Sequence, residues 1–162
     1  MELDSETKRA TALAFLKDHT AGVLATVSRE GKPHASIVYY TCDDSFSIYF
    51  LTLMSSRKYQ ALQANPWGAF VVGNQDAPQT LQIEGPVVEL KQNDEMGKHL
   101  PELVQRLTSN ATYFAPLTKM DPSSIVVMWL EGKWIRWGDY TIPESGNAHV
   151  FTELDAKESF VD

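Results

Sequence analysis

Ser55, Ser56, Arg57 and Lys58 form an unbroken row of two hydroxyls and two cations directly after the apolar run Tyr49-Phe50-Leu51-Thr52-Leu53-Met54. The pattern changes from strand-like to helical at Ser55, which places the row at a strand-to-helix junction. A helix start presents backbone N–H groups without intrahelical partners and a partial positive charge, so it attracts anions before any side chain contributes. A serine there caps the helix or donates to a phosphate oxygen. Arg57 can form two parallel bonds to a phosphate, and Lys58 adds a point charge. The same four residues also suit a solvated helix start that binds nothing. On a chain of formal charge -7, an anion can be held only where positive charge is gathered locally.

Other chemistries lack their residues. Cys42 is the only cysteine, so neither an intramolecular disulfide nor a cysteine-built metal site can form. His19, His34, His99 and His149 are scattered, with no i, i+4 pair and no acidic companion at ligand spacing, so no metal site is expected. There is no G-x-S-x-G elbow for hydrolysis. A sequence pI near 5.0 disfavours nucleic acid and anionic membrane surfaces as partners. No apolar run approaches the length of a membrane span, and the acidic start Met1-Glu2-Leu3-Asp4 is unlike a signal peptide, so a cytoplasmic location is expected.

The elements around the row follow from periodicity. Ala10, Leu13, Ala14 and Leu16 predict a helix over 5–18. Residues 22–28 and 34–41 predict a hairpin joined by Arg29-Glu30-Gly31-Lys32-Pro33, with Gly31 suited to positive φ. A strand over 46–53 leads to the Ser55 junction, and a short helix ends before Asn65-Pro66 because a residue preceding proline leaves helical geometry. Strands follow at 67–72 and 79–90. The helical pattern over 93–108 contains Pro101 and should start late, kink or split there. Strands at 125–130 and 133–138 flank Glu131-Gly132. The order is antiparallel without a βαβ rhythm, so the fold class is mainly β with α: a closed or split antiparallel β-barrel of about six or seven strands with two or three flanking helices. One domain is expected over 1–141, followed by a polar tail over 142–162. Ile37, Val38, Tyr39, Tyr40 and Ile48, Tyr49, Phe50, Leu51 put apolar residues on both strand faces, so something must cover the outer face. Helices can cover part of it and a second copy, as a two-fold dimer, the remainder.

The stretch Gly31-Lys32-Pro33-His34-Ala35-Ser36-Ile37-Val38, the run Leu51-Thr52-Leu53-Met54-Ser55-Ser56-Arg57-Lys58 and the triplet Ala64-Asn65-Pro66 together resemble the FMN-binding split barrels of the pyridoxamine 5'-phosphate oxidase-like superfamily. Gln82-Ile83-Glu84-Gly85-Pro86-Val87 resembles that family's E-G-x-V step. The resemblance implies that Ser55, Ser56, Arg57 and Lys58 form the grip on the FMN phosphate. It also implies that Leu51 and Thr52 lie along the ribityl chain and flavin edge, and that Ser36, Ile37 and Val38 pass beside the isoalloxazine ring. It further implies a homodimer with the cofactor at the interface and a flavin-dependent oxidoreductase acting on a small molecule with a separate electron donor. A non-catalytic module holding a flavin, a deazaflavin or haem is the alternative, and His149 would be its candidate axial ligand. Gln82 is a candidate donor to the flavin edge or a solvent-facing glutamine. Trp129 is a candidate stacking partner for the ring, against core packing as the commoner use of such a residue. Ser36 and Thr41 stand where authentic pyridoxamine-phosphate oxidases carry Arg and Lys, and their C-terminal Arg motif is not recognisable. The resemblance therefore points to the general-stress-protein-like members and not to the authentic oxidases.

Overall fold

In the computed structural model, the Asp4 carboxylate accepts the Thr7 N–H at 2.7 Å and so caps the first helix, α1 (Ser5–Asp18). The described residues are 4–74, 76, 78–91, 96–109, 121–141 and 150–156. Ala12, Phe15 and Leu16 form the buried face of α1, and Tyr40 Oη donates to the Leu16 carbonyl at 2.6 Å, which fastens the helix to the sheet.

The remaining elements run in the order β1 (Ala21–Val27), β2 (Pro33–Cys42), β3 (Ile48–Leu53), α2 (Arg57–Ala64), β4 (Trp67–Asn74), β5 (Gln79–Glu89), a 3-10 turn (Met96–His99), α3 (Leu100–Thr108), β6 (Ile125–Leu130), β7 (Trp134–Asp139) and β8 (Phe151–Leu154). Another 3-10 turn, Pro122–Ser124, leads into β6. The sheet order is β4-β1-β2-β3-β6-β5-β7-β8, and an additional β4–β5 pairing closes the first six strands into a barrel. All pairings are antiparallel. The barrel interior is solid. Phe46, Phe50, Phe70, Ile83, Met128 and Ile135 are fully buried inside it. A second cluster outside the wall joins Tyr49 and Val127 to Leu90 and Leu103, with Leu51, Leu100 and Trp129 packed around them, so α3 covers the outer face of β3 and β6.

Four features differ from, or sharpen, what the sequence predicts. Gly31 takes φ +78 as its hairpin requires, but Phe46 also takes φ +60 and the third strand starts only at Ile48. The Asp43 carboxylate holds that turn by accepting from Ser45 N and Ser47 N at 2.9 and 3.0 Å, while the Arg9 guanidinium lies 5.0 Å from the Phe46 ring centroid. The helix expected over 93–108 splits: the described part is a 3-10 turn through His99, then α3 with Pro101 in its first turn, where a missing N–H leaves no bond unmade. Residues 93–95 lie outside the described residues. Phe151–Leu154 adds an eighth strand to β7 where the sequence suggests only tail, because four residues are too few for periodicity to register.

β5 serves two neighbours on one edge. Gln79 to Glu84 pair with β7 and Val87 to Glu89 with β6, and the change falls at Gly85-Pro86. The chain entering β7 crosses there, with Glu131 N donating to Pro86 O and Lys133 N to Glu84 O. A Cβ on Gly85 would stand 1.7 Å from the Glu131 carbonyl oxygen. Backbone cannot give way as a side chain can, so Gly85→Ala is expected to lower the unfolding free energy by about 3 kcal/mol. Urea denaturation of the two proteins measures the difference.

Candidate functional site

The ladder between β2 and β3 holds three pairs, Tyr40 with Phe50, Thr41 with Tyr49 and Cys42 with Ile48. Upstream, Pro33 to Tyr39 pair with β1 on the other edge, while β3 stays paired to β6 through Leu53. Continuing the register would set Val38 across from Thr52 and Ser36 across from Met54, but no ladder joins them among the described residues. A gap therefore opens in the barrel wall between the first half of β2 and the end of β3. The predicted residues Ser36, Ile37, Val38, Leu51 and Thr52 line its two margins.

The N-terminus of α2 lies at this gap. Ser56 N donates to Leu53 O at 3.0 Å, closing the turn out of β3. The Ser56 side chain caps α2 by accepting from Tyr59 N at 3.2 Å and shares a 2.9 Å hydrogen bond with Thr52 Oγ1. Thr52 is 3% exposed, so its hydroxyl needs that partner. On the opposite margin, Arg57 Nη2 sits 2.9 Å from His34 Nδ1 and 3.3 Å from His34 Nε2. Side chains at the start of one helix thus reach both margins of the gap, β3 through Thr52 and β2 through His34. Asn65 Nδ2 fixes the far end of α2 by donating to Val27 O and Ser28 O.

Arg57 and His34 open onto a cavity of about 540 Å³ between α2 and the β1–β2 turn, whose wall also includes Arg29, Glu30, Lys32 and Gln60. Three permanent cations face one carboxylate there, on a chain of charge -7. Lys58, the next residue of α2, is half-buried and makes no hydrogen bond or ion pair among the described residues. Burial disfavours its ammonium and holds its pKa below the usual lysine value. Lys58 is not part of that cavity's wall, but it follows Arg57 in the first turn of α2, so two cations succeed one another at a helix start.

The other predicted residues divide. Ser55 is exposed in the turn before the cap. Val38 turns its side chain into the barrel core, so it can offer only backbone to the gap, whereas Ile37 faces outward and is 67% exposed. Leu51 points its side chain under α3. Gln82 is exposed on β5, registered with Arg136 and Val71, and is not part of the cavity wall. Trp129 is paired with Tyr49 and packs in the outer cluster, on the face of the β3–β6 ladder opposite Thr52. Its Nε1 is buried without a hydrogen-bond partner. His149 lies outside the described residues. Sequence reasoning missed His34, whose partnership with Arg57 spans 23 residues and depends on how α2 is set against β2. It also missed Tyr59 Oη donating to Glu89 Oε2 at 2.9 Å, a bond to a carboxylate that raises the tyrosine's pKa.

A family model described as pyridoxamine 5'-phosphate oxidase matches residues 9–138. A pyridoxine/pyridoxamine 5'-phosphate oxidase of Cyanothece sp. is 37% identical over 81 residues, which is 50% of this chain and 38% of that protein. The chain spans about two fifths of the length of the curated relatives it matches. Among solved structures, a heme-binding protein from Mycobacterium smegmatis superposes with TM-score 0.68 at 17% identity, covering 96% of this chain and 60% of that one. A pyridoxamine 5'-phosphate oxidase-related, FMN-binding protein from Nostoc punctiforme superposes with TM-score 0.64 at 16% identity, covering 93% and 88%. At these identities the structural likeness shows the fold.

Two outcomes follow from the local geometry. Ser56→Ala removes the cap of α2 and leaves the buried Thr52 hydroxyl unpaired, and thermal and urea unfolding should both show a loss of about 1–2 kcal/mol. The lowered pKa of Lys58 means that the unfolded chain binds more protons than the folded one between that lowered value and the ordinary 10.5. Stability of the ligand-free protein should therefore gain from Lys58 as pH rises through that window. Lys58→Met should remove this gain, seen as a smaller rise, or a steeper fall, in urea midpoint than wild type between neutral pH and pH about 10.

Proposed function

We propose, starting from the fact that this chain belongs to the pyridoxamine 5'-phosphate oxidase family, that its barrel binds FMN and serves as a flavin-dependent oxidoreductase for a small molecule. The observation that carries this reading is the succession of Ser56, Arg57 and the half-buried Lys58 at the start of α2, where Ser56 is tied to Thr52 on β3 and Arg57 lies against His34 on β2. A phosphate monoester matches that set in charge, size and hydrogen-bonding capacity. It would meet the N–H groups of α2, the fork of Arg57 and the ammonium of Lys58. The margins of the gap suit the remainder of the cofactor: backbone of Ser36 to Val38 on one side, Leu51 and Thr52 on the other.

When bound, FMN supplies a ring system that accepts and returns electron pairs; the chain's own residues bind and orient it. Ser56, held by Thr52, and Arg57 would be the residues that hold the phosphate. The solid barrel interior keeps the ligand at the wall, where a small substrate or an electron donor can reach it. Ser36 in place of a cation leaves the second strand less charged at the gap, which fits a substrate other than a pyridoxamine phosphate.

A two-fold partner completes this reading. Ile37 and Tyr39 are 67% and 40% exposed on the outer face of β2, beside the gap, and no helix among the described residues covers Ile37. A second copy placed there would bury this face and shield the cofactor from water. Ile37→Arg is expected to shift the protein from dimer to monomer by light scattering and to weaken FMN binding with it.

The likeness to a heme-binding protein gives a second reading, haem in the same barrel. The absorption spectrum of the protein as purified separates the two: a flavin shows paired bands in the near-ultraviolet and blue, haem a single intense Soret band. FMN titrated into the protein should lose fluorescence on binding, and Arg57→Ala should weaken that binding about 10–100-fold. A colourless protein with no response to FMN removes the flavin reading.

A further inference from the structure

The cavity beside Arg57 is longer than one phosphate needs. Arg57, Gln60, Ala61 and Ala64 recur at i, i+3, i+4 and i+7, so one face of α2 walls it from the first turn to the last, about 10 Å of helix. The β1–β2 turn also contributes to the wall, with Arg29 and Lys32. The volume of about 540 Å³ suits a whole small molecule, whereas a phosphate group takes the space of only a few waters at about 30 Å³ each. Among the described residues, Arg29, Lys32 and Arg57 are paired with no carboxylate, although Glu30 belongs to the same wall. Past Arg57 the helix wall carries no charge: Ala61 and Ala64 are small, and Gln60 adds an amide.

We infer that this cavity is a subsite for the second phosphate and the nucleoside of a dinucleotide flavin, with Arg29 and Lys32 on that phosphate and the uncharged face of α2 against the nucleoside. This rests on the flavin reading above and extends it. The start of α2 holds the phosphate nearest the flavin, and the ligand continues along the helix instead of ending there. A diphosphate spreads its two charges over both sides of the cavity, Arg57 on the helix and Arg29 and Lys32 on the turn. A monoester concentrates its charge at the helix start and leaves the cations of the turn unmatched. The small side chains of Ala61 and Ala64 leave room for the sugar and base beside the helix.

FMN and FAD each carry about two negative charges at pH 8, so the ratio of their affinities cancels the general attraction of the site for anions and reads the cavity itself. Titration calorimetry of the full chain should show FAD bound about tenfold more tightly than FMN. Arg29 and Lys32 are exposed and their side chains make no hydrogen bond among the described residues. The double variant Arg29→Gln/Lys32→Gln should therefore keep the wild-type urea midpoint, while its FAD-to-FMN ratio falls to within about twofold of one. Wild-type protein that binds FMN as tightly as FAD, or a double variant that keeps the wild-type ratio, overturns the inference and leaves the flavin reading standing. Binding of neither flavin removes both.

Discussion

The parting of β2 from β3 is the constraint on which the remainder of this structure depends. β3 is paired along its whole length with β6 and β2 from Pro33 to Tyr39 with β1, and the two share only three pairs with one another. Beyond those pairs each presents an edge of main chain outside any ladder, and such an edge must be satisfied by something. The protein places the start of a helix there. Because α2 begins four residues after the end of β3, its capping serine returns to Thr52 while its first residue reaches His34 across the gap. The opening is braced by polar side chains and remains accessible.

Packing leaves the barrel lumen no room for the ligand proposed above. A six-stranded barrel is narrow, and this one is filled by aromatic and branched side chains: the Tyr40 and Phe70 rings meet edge to face at 5.0 Å, and Phe46, Phe50 and Met128 have no exposed surface. A ligand inside would have to replace the core. At the gap it replaces nothing.

The sequence reveals these parts unevenly, for physical reasons. Helix α1, the first hairpin and the strand-to-helix junction at Ser55 are legible because each is set by local rules: a period, a glycine that takes positive φ, a proline that ends a helix. The row of hydroxyls and cations at the start of α2 is legible because its residues are contiguous. Even Gly85 is marked in advance by its E-G-x-V setting, although the reason, the main chain crossing above it, appears only in three dimensions. What does not show is anything that depends on facing. Strands apolar on both sides give no clue to which side meets the core, so Trp129 stays a candidate for ring stacking beside the commoner use as core, and on this chain it packs under α3. His34 reads as one scattered histidine among four, because nothing local says that α2 will bring Arg57 to it. Phe46 follows the same logic from the other direction: its apolar character predicts strand, but the carboxylate of Asp43 claims the surrounding amides and bends the chain into a turn.

Among the described residues, β2 carries two unmet demands at once. Its free edge faces the gap, and its outer face bears Ile37 and Tyr39 in contact with water. Neither demand is met by the helices: α1 caps another side of the barrel, α2 braces only the end of the gap, and α3 spends its apolar face on Leu51, Val127 and Trp129. A ligand in the gap would answer the edge, and the second copy proposed above would answer the face. Since edge and face belong to the same few residues, whatever orders one must steady the other. Under the proposal above, ligand binding and association would be two readings of a single equilibrium, coupled at the strand that the barrel leaves half unpaired.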